Sequence, residues 1–198
     1  MKVAIIGSGG REHALCDSLK KSSKVNKIYC IPGNAGTDLI AENVKIELND
    51  FEAIKEFIKL NAIDLVLVGP EKPLVEGIVD FLEKHNVKVF GPNKIASQLE
   101  GSKAFTKNLC NKYNIPTANF GIFEDSKSAL NFLKSCNLPI VIKADGLASG
   151  KGVYICEKKE EYIEAVKEIF GGKFGEAKQI LIEEFLKGEE MSFFVICD

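Results

Sequence analysis

Lysines and glycines that follow apolar runs are the residues here best suited to chemistry, and the chemistry they suit is the holding of phosphate. The fullest case is Pro139-Ile-Val-Ile-Lys-Ala-Asp-Gly-Leu-Ala-Ser-Gly-Lys-Gly152. Ile140, Val141 and Ile142 form a short β-branched run, the pattern of a strand covered on both faces. Lys143 puts a cation at its end. Residues 145–152 then carry Gly146, Gly150 and Gly152 together with Ser149 and Lys151. Glycines let backbone N–H groups approach an anion closely, and a lysine adds a point charge. This is not the common P-loop: Gly146 begins G-x-x-x-G-K-G, the register is off by one, and Val153 stands where a Ser or Thr would open a helix. The plainer alternative is a tight β-hairpin with an exposed lysine.

The first half has three more glycine-bearing stretches of this kind. Residues 2–6 read as a buried strand. Gly7-Ser-Gly-Gly-Arg-Glu-His13 follows, then a helix with Ala14, Leu15, Ser18 and Leu19 on one face. Strand, glycine turn and helix open a βαβ unit whose helix amides aim at the turn. A dinucleotide fingerprint would need G-x-G-x-x-G, but Glu12 occupies the last position, and the strand at 27–31 ends without an acidic residue for a ribose. NAD is therefore disfavoured, and a smaller phosphate or phosphosugar fits better. Cys30-Ile-Pro-Gly-Asn-Ala-Gly-Thr37 is a second such loop, and Gly69-Pro-Glu-Lys-Pro73, after a strand at 64–68, is a third. Each alone reads as an ordinary βα turn. In an open parallel sheet, however, all three fall on the edge where ligands bind.

Between these loops the pattern alternates. A short strand is expected at 44–48. Asp50 caps a helix with Phe51, Ile54, Phe57 and Ile58 buried. A helix over 74–85 and a strand at 87–90 follow. Residues 93–114 read as helical with a break at Gly101, and the second piece carries Lys103 in its first turn. A cation there opposes the helix dipole, so Lys103 is either solvated or held by a ligand. Ile115-Pro-Thr117 is the candidate linker. Beyond it come a strand at 119–123, a helix from 125 to 135, the opening strand and loop, a strand at 152–156, a helix over 158–170 and strands at 179–185 and 190–197. The last residues, ending on Asp198, read as a strand without a turn or cap after it, so the chain is expected to be part of a longer protein.

Composition narrows the partners. The 198 residues hold 26 basic and 28 acidic side chains, net −2. Each half has 13 basic against 14 acidic, so neither is a nucleic-acid surface. Six scattered cysteines without a C-x-x-C suggest buried free thiols in a reducing compartment. No apolar run approaches the roughly 20 residues of a membrane helix, and the glycine-broken N-terminus is no signal peptide. A cytoplasmic protein without membrane or nucleic-acid partners is expected.

Taken together, Gly7-Ser-Gly-Gly-Arg-Glu-His13, Pro32-Gly-Asn-Ala-Gly-Thr37, Gly69-Pro-Glu-Lys-Pro-Leu-Val-Glu-Gly77, Leu99-Glu-Gly-Ser-Lys-Ala-Phe-Thr-Lys107, Lys143-Ala-Asp-Gly-Leu-Ala-Ser-Gly-Lys-Gly152 and Ile182-Glu-Glu-Phe-Leu-Lys-Gly-Glu-Glu190 resemble the phosphoribosylamine–glycine ligases, also called glycinamide ribonucleotide synthetases, of the ATP-grasp superfamily. The resemblance implies an α/β fold. An open parallel-sheet domain (1–116) would bind phosphoribosylamine, a small α+β ATP-grasp lid domain (117–187) would follow, and 188–198 would be the first strand of a second, truncated subdomain. It implies de novo purine synthesis, with ATP, glycine and 5-phosphoribosylamine giving glycinamide ribonucleotide, ADP and phosphate through glycyl phosphate. By resemblance, Lys103 and Lys143 reach the ATP phosphates. Gly146, Ser149, Gly150, Lys151 and Gly152 close over them. Glu183, Glu184, Phe185 and Leu186 form the adenine hinge, and Glu190 takes the ribose hydroxyls. Gly9, Gly10, Arg11, Gly33, Asn34, Gly69, Pro70 and Glu71 lie nearest the phosphoribosylamine. The plainer reading of Glu183, Glu184, Glu189 and Glu190 is a solvated acidic strand end, and His13 reads as structural. The family is about twice as long, and its later part carries the Mg²⁺ (or Mn²⁺) ligands and much of the glycine site. This chain alone is therefore expected to be inactive. Other ATP-grasp carboxylate–amine ligases, a carboxylase ATPase component, or a non-catalytic phosphoribosyl-binding module are the alternatives.

Overall fold

The computed structural model describes residues 1–147, 151–175, 178–193, 195 and 196. The chain divides into two compact units, Met1–Gly101 and Ser102–Asp198.

The first unit is a five-stranded parallel sheet in the order β3-β2-β1-β4-β5. Its strands are β1 (Lys2–Gly7), β2 (Lys27–Pro32), β3 (Glu42–Asn43), β4 (Leu65–Val68) and β5 (Val89–Phe90). They alternate with α1 (Gly10–Lys20), α2 (Phe51–Leu60), α3 (Glu71–Glu76) and α4 (Ile78–Lys84), and α5 (Gln98–Gly101) ends the unit. Strands buried on both sides need apolar residues at every position, and β1 supplies them. Ala4 and Ile6 enter the core shared with Ile54, Ile58, Ile78 and Leu82, while Val3 and Ile5 pack with Cys16, Ile28 and Cys30 on the α1 side. Burial, with the neighbouring Cys30 adding to it, pushes the Cys16 thiol up to about 12, so it behaves as a small apolar side chain.

The second unit is an antiparallel sheet in the order β6-β9-β7-β8, made of β6 (Phe120–Phe123), β7 (Ile140–Ala144), β8 (Val153–Cys156) and β9 (Ile180–Glu184). It also holds α6 (Lys103–Lys112), α7 (Ser126–Leu133) and α8 (Lys159–Phe170). Period-2 alternation sorts the side chains. Ile140, Ile142, Ala144, Ile180 and Ile182 form the core with Ala129, Leu133, Ala165, Val166 and Ile169 of the two helices. Partners across the ladder share a face. Val141 and Glu183, Lys143 and Leu181, Val141 and Ile155, and Lys143 and Val153 therefore all point to the side opposite α7 and α8.

Several expectations are corrected. The strand expected at 44–48 is reduced to Glu42–Asn43, because after Val44 bonds Cys30 the N–H of Ile46 turns back to Val44 O. The helix expected over 74–85 is two helices, broken where Gly77 takes φ +99°. On α1 the buried residues are Glu12 and Cys16, with Leu15 and Leu19 partly covered, while Ala14 and Ser18 are exposed. The division falls at 101/102 rather than 116/117, because α6 is tied to β7 and β9 by its own side chains (below). The strand expected at 190–197 is not formed in its described residues, and 194, 197 and 198 lie outside them.

Candidate functional sites

In the first unit the strand order reverses at β1, with β2 on one side and β4 on the other. Such a switch point opens a crevice at the carboxyl ends of the strands. The loops after β1 and β4 meet there, and the β2 loop flanks them. Arg11 donates from Nη1 to Gly69 O at 2.6 Å and from Nη2 to Glu71 Oε1 at 2.9 Å. Glu71 is held below the usual carboxylate range by its own backbone N–H and then by Arg11, and Arg11 is raised, first through the hydrogen bond to Glu71. Asn34 donates to Ser8 O at 2.9 Å, while its Oδ1 accepts from the N–H groups of Gly36 and Thr37. Ser8, Gly9, Gly10, Arg11, Glu12, Leu48, Pro70 and Glu71 line a shallow cleft of about 330 Å³. Five of the eight residues expected near the phosphosugar thus line one cleft, and Gly69 is tied to it through Arg11. Gly33 and Asn34 are not among its lining residues, and Asn34 bonds the β1 loop at Ser8 O.

Glu12 is the residue that sequence reasoning missed. It is buried, at 4% exposure, and its Oε2 accepts the Gly9 N–H at 2.6 Å. A Cβ on Gly69 would stand 1.9 Å from Glu12 Oε1. Gly69 is therefore glycine because the Glu12 carboxylate needs the space. The signal in the sequence was the same Glu12 that spoils the dinucleotide fingerprint.

In the second unit two lysines meet at Glu183 on the sheet face opposite α7 and α8, and a third fastens the glycine loop. Ser102 caps α6 by accepting from Phe105 N, and Asp145, at the end of β7, accepts from Ala104 N at 3.1 Å and Ser102 Oγ at 3.0 Å. Asp145 thus fastens the start of α6 to the start of the glycine loop. Lys103 is half-buried and held by the chain itself. Its Nζ donates to Ala144 O at 3.0 Å and Gly146 O at 2.9 Å, which satisfies a cation that the helix dipole opposes. Lys143 pairs with Glu183 Oε2 at 2.5 Å, and Lys107 with Glu183 Oε1 at 2.6 Å. Glu183 is 5% exposed. Burial pushes its pKa up, but the two lysines outweigh that and hold it below the ordinary range.

A solvated acidic strand end therefore does not describe Glu183. Glu184, Glu189 and Glu190 are exposed, Glu184 accepting from Asn119 N and Nδ2. Phe185 and Leu186 are also exposed. Gly146 and Gly152 take φ +99° and +86°, Gly152 O accepts from Ala144 N, and Lys151 is exposed. Ser149 and Gly150 lie outside the described residues.

A family model described as phosphoribosylglycinamide synthetase, N domain, matches residues 1–100, and one described as the ATP-grasp (A) domain of the same synthetase matches 101–198. The chain belongs to the phosphoribosylglycinamide synthetase family. A curated phosphoribosylamine–glycine ligase from Mesorhizobium japonicum is 50% identical over all of this chain. The crystal structure of the Thermotoga maritima phosphoribosylamine–glycine ligase superposes with a TM-score of 0.78 at 36% identity, over 96% of this chain and 45% of that one. The biotin carboxylase domain of the Hydrogenobacter thermophilus 2-oxoglutarate carboxylase shares the fold at 20% identity, with a TM-score of 0.72 over 94% of this chain and 44% of that one. The chain spans about half the length of the curated synthetase relatives it matches, 47% for the first. The two synthetase models divide the chain within a residue of the two compact units.

Proposed function

We propose that this chain supplies the phosphosugar site and part of the ATP site of a phosphoribosylamine–glycine ligase in purine biosynthesis. In that reaction a glycine carboxylate oxygen attacks the γ-phosphorus of ATP and ADP leaves. The amine of 5-phosphoribosylamine then attacks the acyl carbon of glycyl phosphate, loses a proton, and expels phosphate. Such chemistry asks the protein mainly for position and charge neutralisation. The observation that carries the reading is Lys143. It stands at the end of β7, beside the glycine loop, on the sheet face opposite α7 and α8, where Leu181 and Glu183 are buried and Val153 and Ile155 stay exposed. Exposed apolar side chains beside a lysine suit a purine base with its phosphates. In the first unit the Gly10 amide at the start of α1, flanked by Arg11, suits the 5-phosphate of the phosphoribosylamine, with Gly9 shaping the turn while its own N–H is held by Glu12.

The family implies a divalent cation, Mg²⁺ or Mn²⁺. Among the described residues no three His, Cys, Asp or Glu side chains are grouped to hold one, and the part proposed for this chain is binding and orientation. Lys103, Gly146, Ser149, Gly150, Lys151 and Gly152 are assigned to the nucleotide phosphates, with Lys103 acting through the carbonyls it fastens. Glu184, Phe185, Leu186 and Glu190 are assigned to adenosine. The site belongs in the cytoplasm, where nucleotide and glycine are supplied, and among the described residues no helix is long and apolar enough to cross a membrane. Bicarbonate-dependent chemistry has only a fold-level relative in its favour. The test is ADP release by the whole protein. Stimulation by glycine with phosphoribosylamine is expected. Stimulation by bicarbonate instead would overturn the assignment.

A further inference from the structure

We propose that Lys107 is the standing counterion of Glu183, and that by holding one carboxylate oxygen it leaves Lys143 free to exchange its ion pair for an incoming anion. This rests on the reading of Lys143 as a phosphate-binding residue and assigns Lys107 a positioning role at that site.

The two lysines differ although they share one acid. Lys107 lies on the buried stripe of α6, one turn after Ala104. Its ammonium has three protons and three acceptors: Glu183 Oε1 at 2.6 Å, Thr117 Oγ1 at 2.6 Å and Ala118 O at 3.3 Å. Its side chain is 11% exposed and its Nζ stands 5.4 Å from the Phe120 ring centre. Every donor is used, and moving it would strand a buried charge. Among the described residues Lys143 has one ion-pair contact, Glu183 Oε2, and its side chain is 29% exposed. Two cations on one carboxylate leave a net positive charge, and Lys143 is the member able to turn toward an incoming anion.

Were Lys107 absent, Glu183 would be a buried carboxylate with Lys143 as its only ion pair, and releasing that lysine would leave a buried charge uncompensated, which is strongly unfavourable. Lys107 removes that barrier. Glu183 stays paired when Lys143 leaves. The role is distinct from stability, because it makes Lys143 more reactive, not only better held.

The test uses the 198-residue chain and acetylation by an N-hydroxysuccinimide ester, read lysine by lysine by mass spectrometry. Only the uncharged, unpaired amine attacks the ester, so rate reports release. In the wild-type chain Lys107 is expected to react at least about tenfold more slowly than Lys143. Lys107→Met should slow Lys143 by roughly tenfold, because its ion pair must then be broken with no second cation on Glu183. Lys107→Arg should restore the wild-type rate, and Lys107→Met with Glu183→Gln should exceed it. Equal wild-type rates at the two lysines, or an unchanged or faster Lys143 in Lys107→Met, would overturn the proposal, and the wild-type comparison stands even if that variant fails to fold. Inorganic triphosphate is the anion probe. Protection of Lys143 supports the phosphate reading, whereas no protection contradicts that reading while the Lys107 and Lys143 rates still decide the role of Lys107.

Discussion

At Glu183 burial and pairing pull in opposite directions, and pairing wins. Its pKa lies below the ordinary 4.5 in the folded chain, whereas the unfolded chain titrates near that ordinary value. The unfolded state therefore takes up the proton first as pH falls. The stability Glu183 contributes is present above about pH 4.5 and is lost below it, toward its lower folded value. Urea unfolding is expected to show a decline below about pH 5 that is smaller in Glu183→Gln, a comparison that isolates this acid from Glu168 and Asp125, whose pKa values are also lowered. At pH 7 the same variant should lose about 3 kcal/mol or more, since two buried cations lose their anion. An unaltered pH profile would mean the acid is not paired as described. Gly69 makes a second residue-scale case. Gly69→Ala places a methyl on the Glu12 carboxylate and should cost about 1–3 kcal/mol, read as a shift in the urea midpoint. No shift would show that Glu12 moves aside freely.

Among the elements, α6 is the one whose role was hidden. Ser102 announces the helix start in the sequence, but Asp145 lies 43 residues away from Ser102 and no local pattern connects them. Asp145→Ala removes the acceptor for Ala104 N and Ser102 Oγ and should cost about 1 kcal/mol in thermal unfolding. A neutral result would mean that Ser102 alone carries the cap. The same contrast governs what was legible. The alternation of Ile140, Ile142 and Ala144 with Val141 and Lys143 reports a strand directly, and the glycine loops after strands report the sheet edge. Strand 44–48 misled because Val44, Ile46 and Leu48 do alternate and are partly buried against the core, yet ladder hydrogen bonds, not alternation, make a strand. Gly77 broke a helix that its neighbours' apolar spacing continues, because one left-handed residue redirects the chain while leaving the pattern intact. Glu183 was named as a hinge residue, but its pairing with Lys107 depends on β9 meeting α6, a contact between segments 76 residues apart that composition does not encode.

For the whole molecule, the division at 101/102 changes what a stable piece should be. A piece beginning at Ser102 keeps Lys107 beside Glu183, while one beginning at Thr117 removes that cation and the whole of α6. The shorter piece is expected to be less stable by about 3 kcal/mol in urea, and equal stability would restore the boundary at 116/117. The two units also divide the assigned ligands between them, phosphosugar to the first and nucleotide to the second. Amide chemical-shift mapping of the 198-residue chain tests this most directly. Ribose 5-phosphate is expected to move the signals of Gly9, Gly10, Arg11 and Gly69 and leave Lys143 and Glu183 unchanged. An ATP analogue should do the reverse. If both ligands moved the same unit, or neither moved its assigned one, the division of function would be contradicted.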